Sequence, residues 1–255
     1  MNQSERRTRL IKYLLEERQE AVSVPGDEGS QIKLLRALLN VRPPMPVSAE
    51  FLSLQDEYLT GRKNERGVID VKNLAYTDGI SLLKGDITTL NADAIVNAAN
   101  SAMLGCFRPL HDCIDNAIHT FAGVQVRLDC NDIMKGREAE NGEVIVTKAY
   151  NLPSRFIFHT VGPVVYGRVT EENETDLAKC YLNCLTKADE MKLKSIAFCC
   201  ISTGVFGYPK EEAALLAVKV VQRYKKQTES DIKVIFDVFE KEDYELYRRI
   251  LGKNR

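Results

Sequence analysis

From about residue 70 onward, short apolar runs alternate with longer segments of helical periodicity, and this alternation constrains the fold more than any other feature. The apolar runs have the length and the β-branched content of buried strands: GISLLKGDI, DAIVNAAN, GEVIVTKAY, RFIFHTVG, SIAFCCIS and IKVIFDVF. The helical patterns between them are CIDNAIHTFAGVQVRLDCNDIM, ETDLAKCYLNCLTKADEM and KEEAALLAVKVVQRYKKQ. Strands that alternate with helices predict a largely parallel sheet covered on both faces, which is a three-layer α/β/α domain.

The segment before residue 70 shows a different pattern. In RLIKYLLEERQEAV, IKLLRALLNV and SAEFLSLQDEYLTGR, apolar residues recur every three or four positions, which is the helical period. The stretches VPGDEGS and RPPMPVS separate these patterns, and Ser48 stands where the third helix needs an N-cap. We therefore predict a helical extension over residues 1–69 and one large domain over residues 70–255. A cap packed on that domain is the favoured role of the extension, and a platform for a substrate or partner is the alternative.

The composition indicates neither a nucleic-acid-binding protein nor a membrane protein. Lys and Arg number 35 against 36 Asp and Glu, and no stripe of clustered basic residues indicates a nucleic-acid surface. No apolar run approaches the roughly 20 residues of a membrane span, and the first residues lack the apolar core of a secretory signal. Seven cysteines without regular spacing are typical of reduced thiols. We expect a cytoplasmic protein that binds neither nucleic acid nor membrane.

Two loops at the predicted ligand-binding edge, where parallel strands end, carry polar side chains. In KGDIT, Asp86 is placed to accept a hydrogen bond from an exocyclic amine, although a turn aspartate that bonds its own backbone is the more frequent case. In NAANSAMLG, Asn100 offers a donor and an acceptor that suit the vicinal hydroxyls of a sugar. Holding the loop backbone is an equally good reason for an asparagine at that position.

A third loop, ISTGVFGYPKEE, leads from a strand into a helix. Its small residues and two glycines let backbone N–H groups converge on an anion, and the helix that follows adds its positive N-terminus. The loop lacks the Gly-Lys-Ser/Thr of a P-loop. Phe206 either stacks on a ribose or packs into the core. Together the three loops predict a cleft for a nucleotide with a diphosphate and an additional ribose.

Two of the three histidines lie in LGCFRPLHDCIDNAIH, together with two cysteines. Cys106, His111 and Cys113 are either three soft ligands of a metal ion, or two buried thiols and a histidine at a helix start. The Cys-x4-His-x-Cys spacing is not that of a structural zinc finger, and three protein ligands would leave a fourth position open, as in catalytic zinc sites.

The remaining histidines and cysteines are interpreted as structural. His119 follows Asp115 by one helical turn, and we interpret it as a buried, hydrogen-bonded group. His159 lies within a strand pattern, and the other five cysteines fall on helix faces or in a strand. All of these are expected in the core.

The motifs GDIT, NAAN, HTVGP and ISTGVFGYP, in this order, resemble the macrodomain family of ADP-ribose binders. The resemblance covers roughly residues 70 to 255 and implies a mixed sheet of roughly six strands, with ADP-ribose in a cleft at one end. It implies that Asp86, beside Ile87, accepts from the adenine amine and that Asn100 contacts the distal ribose. It also implies a diphosphate loop, with Phe206 near the distal ribose; the loop consists of Ser202, Thr203, Gly204, Val205, Phe206 and Gly207.

One stretch departs from the pattern of many hydrolytic macrodomains, in which a run of glycines follows NAANS. Here bulkier residues carry Cys106, His111 and Cys113, and this looks like the zinc-dependent macrodomains of certain bacteria and fungi. That resemblance implies Zn²⁺ on these three side chains and a protein ADP-ribosyl hydrolase. In bacteria it is associated with a sirtuin-type ADP-ribosyltransferase, so the substrate is expected to be a carrier protein modified by such a transferase. Asn100 and Asp115 are the expected catalytic residues.

The resulting expectation is a zinc-dependent enzyme, a protein mono-ADP-ribosyl hydrolase, that releases ADP-ribose from modified side chains, with ester links to Asp or Glu favoured. Whether the zinc ion or Asp115 activates the attacking water stays open. Two other functions use the same cleft: a non-catalytic ADP-ribose-binding module with structural zinc, and an O-acyl-ADP-ribose esterase. A further alternative is an interaction protein in which the N-terminal helices matter most.

Overall fold

The computed structural model describes residues 1–253. Three helices come first: α1 (Gln3–Glu17), α2 (Glu28–Val41) and α3 (Ala49–Arg66). The strands are β1 (Ile80–Lys84), β2 (Ala94–Ala99), β3 (Val144–Lys148), β4 (Phe156–Val161), β5 (Ser195–Phe198) and β6 (Lys233–Val238). The other helices are α4 (Ile114–Ala122), α5 (Val124–Met134), α6 (Glu171–Glu190), α7 (Lys210–Thr228) and α8 (Lys241–Lys253). Within residues 1–253, no helix is long and apolar enough to cross a membrane.

The six strands form one mixed sheet in the order β1-β6-β5-β2-β4-β3. Neighbouring strands pair in parallel except β3, which runs antiparallel to β4 at one edge. Helices cover both faces, so the predicted three-layer α/β/α architecture with a mixed sheet is confirmed. Because parallel strands end at the same edge, the loops after β1, β2, β5 and β6 lie along one side of the domain.

Burial along the strands explains why their sequences read as they do. β5 lies inside the sheet and is buried along its whole length, and β2 is buried at all but one position, so both are nearly continuous apolar runs. β3 forms an edge, and its residues alternate between buried and partly exposed. The two patterns distinguish interior strands from the edge strand in the sequence itself.

The predicted N-terminal helices are present, each with a side-chain N-cap. Ser48 accepts a hydrogen bond from the Phe51 amide, as predicted, and Asn2 and Asp27 cap α1 and α2. The helices share an apolar cluster of their own that includes Ile11 from α1, and Val124 of α5 also joins it. α1 ends at Glu17, earlier than the periodic pattern suggested. The boundary at residue 69 stays a prediction.

Two helix predictions need correction. The helical pattern from Cys113 to Met134 forms two helices, because Gly123, with a φ of 102°, separates α4 from α5. That backbone region is essentially restricted to glycine. α8 was not predicted, because its sequence KEDYELYRRILGK is dense in charge; Tyr247 and Ile250 nevertheless turn inward to the core.

Substitution of Gly123 by alanine should destabilise the protein. A Cβ there would lie 2.7 Å from amide atoms of both Gln55 and Gln125, at a φ that alanine does not tolerate. We expect the free energy of unfolding, measured by urea denaturation, to fall by about 1–3 kcal/mol. The control is Gly29→Ala in the first turn of α2, where a Cβ would make only an ordinary contact of 3.5 Å with Asp27 Oδ1, so stability should stay equal or rise slightly. Equal stability of both variants would contradict this account of the helix junction.

Candidate functional site

Asp86, directly after β1, is held by its own turn. Its Oδ1 accepts hydrogen bonds from the Thr88 amide at 2.9 Å and the Thr88 hydroxyl at 2.6 Å. Its Oδ2 accepts from Arg66 Nη2 at 2.8 Å, which ties the end of α3 to this loop. The turn aspartate considered as an alternative is therefore what the structure contains. The side chain stays 39% exposed, so a ligand can still reach it, whereas Ile87 beside it is buried.

Asn100, directly after β2, also has a structural task. Its Nδ2 donates to the Gly105 carbonyl at 3.1 Å, and its own carbonyl accepts from the Met103 amide at 2.9 Å. Gly105 packs against the His119 ring so closely that a Cβ there would lie 2.8 Å from it. Asn100 therefore connects the end of β2 to the start of the cysteine-histidine segment, which runs from Cys106 to Cys113.

Cys106, His111 and Cys113 come together, as the metal-ligand interpretation requires. Their ligand atoms all lie within 4.8 Å of one another, and Cys106 Sγ is 3.6 Å from His111 Nδ1. All three are half-buried. No fourth His, Cys, Asp or Glu in residues 1–253 belongs to this group. Two thiols and an imidazole suit a soft divalent cation such as zinc.

The start of α4 places Cys113 in this group. Cys113 is the N-cap of the helix, and its Sγ accepts a hydrogen bond from the Asn116 amide at 3.4 Å. Sulfur thus occupies the position where Ser, Thr or Asp normally caps a helix. Burial raises the pKa of this thiol, although the hydrogen bond from the Asn116 amide opposes the shift. The predicted position of Cys113 at the start of the helix is confirmed.

Asp115 lies in the first turn of α4 and is buried. Its Oδ1 accepts a hydrogen bond from Asn97 Nδ2 at 2.7 Å. Burial raises the pKa of Asp115 to about 6, although the Asn97 hydrogen bond and the Arg127 charge oppose this shift. The expected catalytic carboxyl is therefore part of a closed polar contact between β2 and α4. Its role in a reaction stays a prediction.

His119 is buried, as predicted, but it is not hydrogen-bonded. Its Nε2 is 3.5 Å from Asp115 Oδ1, and within the described chain neither ring nitrogen has a hydrogen-bond partner. Burial, with further contributions from His159 and Arg127, lowers the pKa of His119 well below its usual range, so the ring is neutral. The interpretation as a structural group thus holds for burial and is wrong for hydrogen bonding.

His159 behaves as the structural histidine expected from its strand. It is fully buried, with Nδ1 3.1 Å from Asn97 Nδ2 and Nε2 3.0 Å from Thr147 Oγ1. Burial lowers its pKa to about 3. The ligand atoms of His119, Cys130 and His159 also lie within 4.8 Å of one another, a grouping that sequence reasoning missed. Since both nitrogens of His159 already have partners and the group is enclosed, we assign it to the core.

The glycine-rich loop after β5 exposes backbone amides. Within residues 1–253, the amides of residues 203 to 206 donate no hydrogen bond. The loop is closed by hydrogen bonds from the Gly207 amide to the Gly204 carbonyl and from the Tyr208 amide to the Ser202 carbonyl, both 3.0 Å long. Ser202 has a φ of 64°, and its buried Oγ has no hydrogen-bond partner in the described part of the chain. A row of free amides is what an anion needs.

The side chains of this loop point in different directions. Val205 is 79% exposed, whereas Phe206 is half-buried against the core and its carbonyl accepts from the Val165 amide at 2.8 Å. The helix that follows, α7, has no side-chain cap and already carries Glu211 and Glu212 in its first turn. These carboxylates weaken the positive end of α7 as an anion site. The free amides are therefore the stronger feature.

Two residues at the end of β6 were missed by sequence reasoning. Asp237 is buried, and no hydrogen-bond partner for its Oδ1 is present among residues 1–253. Burial together with nearby Asp86 raises its pKa to about 8. Phe239 follows β6 and is 79% exposed. The Gly85 amide donates to the Val238 carbonyl at 3.0 Å, so both lie beside the Asp86 loop. The sequence signal that could have identified Asp237 is an acidic residue inside the otherwise apolar run IKVIFDVF.

Comparison with known proteins gives the class. The Macro domain family model matches residues 96–217, which include most of β2, the segment from Cys106 to Cys113 and the glycine-rich loop. Over 99% of its length the chain is 47% identical to the whole of a Treponema medium protein. A Trypanosoma brucei macrodomain in complex with ADP-ribose is similar with a TM-score of 0.66 and 29% identity, over 85% of this chain and 95% of that one. The chain therefore belongs to the macro domain family.

Within that family, the named relatives share one kind of activity. The Treponema medium protein is named Protein-ADP-ribose hydrolase. A Fusarium oxysporum f. sp. cubense protein is 41% identical over 89% of this chain, which spans 42% of it. That fungal protein is named Probable bifunctional ADP-ribose hydrolase/ADP-ribosyltransferase.

The raised pKa of Asp237 predicts a specific dependence of stability on pH. An unfolded aspartate ionises near its usual pKa of about 3.9, whereas the folded one stays protonated until about pH 8. Its contribution to stability is therefore lost as the pH rises between these values, by up to about 1.4 kcal/mol per pH unit. We expect Asp237→Asn to become more stable relative to the parent protein between pH 5 and pH 8, measured by urea denaturation. Parallel curves would contradict the raised pKa.

Proposed function

We propose that this protein is a zinc-dependent protein-ADP-ribose hydrolase that removes mono-ADP-ribose from Asp- or Glu-linked side chains. One observation carries the proposal: the group of Cys106, His111 and Cys113 is joined through Gly105 to Asn100 at the end of β2. The residues proposed to hold the ion are thus continuous with the residue proposed to hold the distal ribose. The names of the relatives support the hydrolase activity.

The binding roles follow the order of loops along the sheet edge. Asp86 and Ile87 are proposed to receive adenine, where the exposed carboxylate offers an acceptor for its amine. The loop Ser202–Gly207 is proposed to bind the diphosphate through its free amides, with Phe206 beside the distal ribose. Asn100 is proposed to bind that ribose through its side-chain carbonyl oxygen and its second Nδ2–H, which the bond to Gly105 leaves available.

The reaction requires water to split the bond between the distal ribose and the modified carboxyl group. The hydroxyl of the water ends on one fragment and its proton on the other, so ADP-ribose and a free carboxyl side chain result. When bound, the ion supplies Lewis-acid polarisation of an oxygen at this bond. Asn100 is proposed to orient the ribose. Asp115, in the first turn of α4, is proposed to orient the attacking water or to accept its proton.

Loss of the proposed metal ligands should abolish turnover and spare binding. We expect Cys113→Ala to bind less than one equivalent of zinc and to release ADP-ribose from a mono-ADP-ribosylated protein more than about 100-fold more slowly. Its affinity for ADP-ribose, measured by calorimetry, should stay within about three-fold, because the adenine and diphosphate contacts lie elsewhere. Asp112→Asn is the matched control, since Asp112 lies in the same loop, is exposed and belongs to no ligand group.

The result separates the proposal from its alternatives. A metal-free Cys113→Ala protein that cleaves at the parent rate would overturn the zinc-dependent mechanism. A parent protein that binds zinc and ADP-ribose but releases nothing from any modified protein is a non-catalytic binding module. Faster cleavage of O-acyl-ADP-ribose than of the modified protein would make the chain an esterase for small molecules.

The type of bond between ADP-ribose and the modified side chain should determine how fast a substrate is cleaved. We expect a Glu-linked mono-ADP-ribosyl protein to be cleaved at least about ten-fold faster than the same protein linked through Ser or Arg, since an ester has a better leaving group. The three substrates share the ADP-ribose contacts, so a difference in kcat at similar KM isolates the bond that breaks. Equal rates on all three would contradict the preference for esters.

Partner and compartment are proposed on separate grounds. A carrier protein modified by a sirtuin-type transferase is the proposed substrate, supported by the fungal relative whose name combines hydrolase and transferase. A cytoplasmic location is proposed because all seven cysteines are free thiols, which an oxidising compartment would not preserve.

A further inference from the structure

The segment that carries the proposed metal ligands has little regular structure of its own. Between Met103 and the start of α4 it contains four consecutive exposed residues, from Phe107 to Leu110. Leu110, immediately before His111, has a φ of 55°, which is unusual for a leucine. A loop of this kind needs outside contacts to hold three ligand atoms in one place.

Arg36 of α2 makes the first of these contacts. Its Nη2 donates to the carbonyl of His111 at 3.1 Å and to Asn116 Oδ1 at 2.8 Å, and its Nε lies 3.2 Å from the same oxygen. Asn116 in turn donates from Nδ2 to the Arg108 carbonyl at 3.0 Å, and its amide donates to Cys113 Sγ at 3.4 Å. One guanidinium thus fixes the backbone of one ligand and, through Asn116, the position of another.

Asn40, one helical turn further along α2, makes the second contact. Its Oδ1 accepts from the Leu110 amide at 3.1 Å, and its Nδ2 donates to Thr120 Oγ1 at 3.0 Å. The side chain is 1% exposed, so water does not compete for these bonds. Asn40 therefore bridges the loop just before His111 to the body of α4.

Arg127 of α5 joins the other end of the segment to the same helix. Its Nε donates to the Leu104 carbonyl at 2.7 Å, and its Nη1 donates to the carbonyls of Leu39 and Arg42 at the end of α2. The Phe107 ring lies 4.3 Å from the guanidinium carbon. The segment is therefore attached to α2 on both sides of the three ligands.

We propose that the N-terminal helical extension is a scaffold for the metal-binding loop, with Arg36 and Asn40 as positioning residues for His111 and Cys113. The inference rests on the proposed function, because it concerns the ion that this loop would hold. It assigns to the extension a role in the reaction at the site, beyond covering the domain. Neither residue touches the nucleotide-binding loops, so their effect should be confined to the metal.

The test uses Arg36→Met in the full chain, which keeps the length of the side chain and removes its hydrogen bonds. We expect the Kd for Zn²⁺, measured by competition with a chromophoric chelator, to weaken by about 10–100-fold. The visible spectrum of the Co²⁺-substituted protein, which reports ligand geometry, should change in its d–d bands. The Kd for ADP-ribose should stay within about two-fold, and Arg36→Lys should fall between the parent and Met, because it lacks the guanidinium fork.

The matched control is Arg9→Met, in which an exposed arginine of the same extension loses its ion pair with Glu50. It should leave both Kd values and the Co²⁺ spectrum unchanged. A parent protein that binds no metal would overturn the proposed function itself. If the parent binds zinc, an unchanged Kd and spectrum in Arg36→Met would overturn the scaffold role. An equal loss of ADP-ribose affinity would also overturn it, because that result indicates general unfolding.

Discussion

The position of α4 on the sheet depends on one buried amide, that of Asn97. Its Nδ2 lies 2.7 Å from Asp115 Oδ1 on α4 and 3.1 Å from His159 Nδ1 on β4, the residue opposite it in the strand pairing. Asn97 is fully buried, so each of these contacts would leave an unsatisfied polar group if it were broken. Because Cys113 is the N-cap of α4, the same amide sets where the segment from Cys106 to Cys113 meets the end of β2. Asn97 therefore fixes the proposed metal site relative to the sheet edge that carries the proposed nucleotide-binding loops.

The order of strands arranges the polar groups of this sheet edge in a line. Asp86 follows β1, Asp237 is the last residue but one of β6, the free amides follow β5 and Asn100 follows β2, and these strands are successive neighbours in the sheet. Three steps of about 4.8 Å give a line of roughly 14 Å. Carboxyl groups stand at one end of the line, amides in the middle, and the soft ligands at the other end. This order matches the proposed ligand: the adenine amine needs an acceptor, the diphosphate needs N–H donors, and the second ribose carries the bond that is proposed to break.

Features encoded in short stretches could be predicted from the sequence, and features that need distant residues could not. Three features depend on local spacing, and the structure contains all of them. They are the strand runs, the N-cap Ser48, and the grouping of Cys106, His111 and Cys113. The break between α4 and α5 depends on the positive φ of Gly123, which the helical periodicity on either side does not reveal. The bonds from α2 to the loop join residues 70 to 80 positions apart, and no periodicity connects them.

The attachments of α2 also determine how the proposed metal site could be moved to another protein by design. The hydrogen bonds to the carbonyl of His111 and to the Leu110 amide come from a helix that precedes the sheet domain in the chain. Grafting the eight residues of the cysteine-histidine segment onto another macro domain would thus transfer the ligands without their support. The transplantable unit is larger than the motif: it comprises the loop, the first turns of α4 and the second N-terminal helix together.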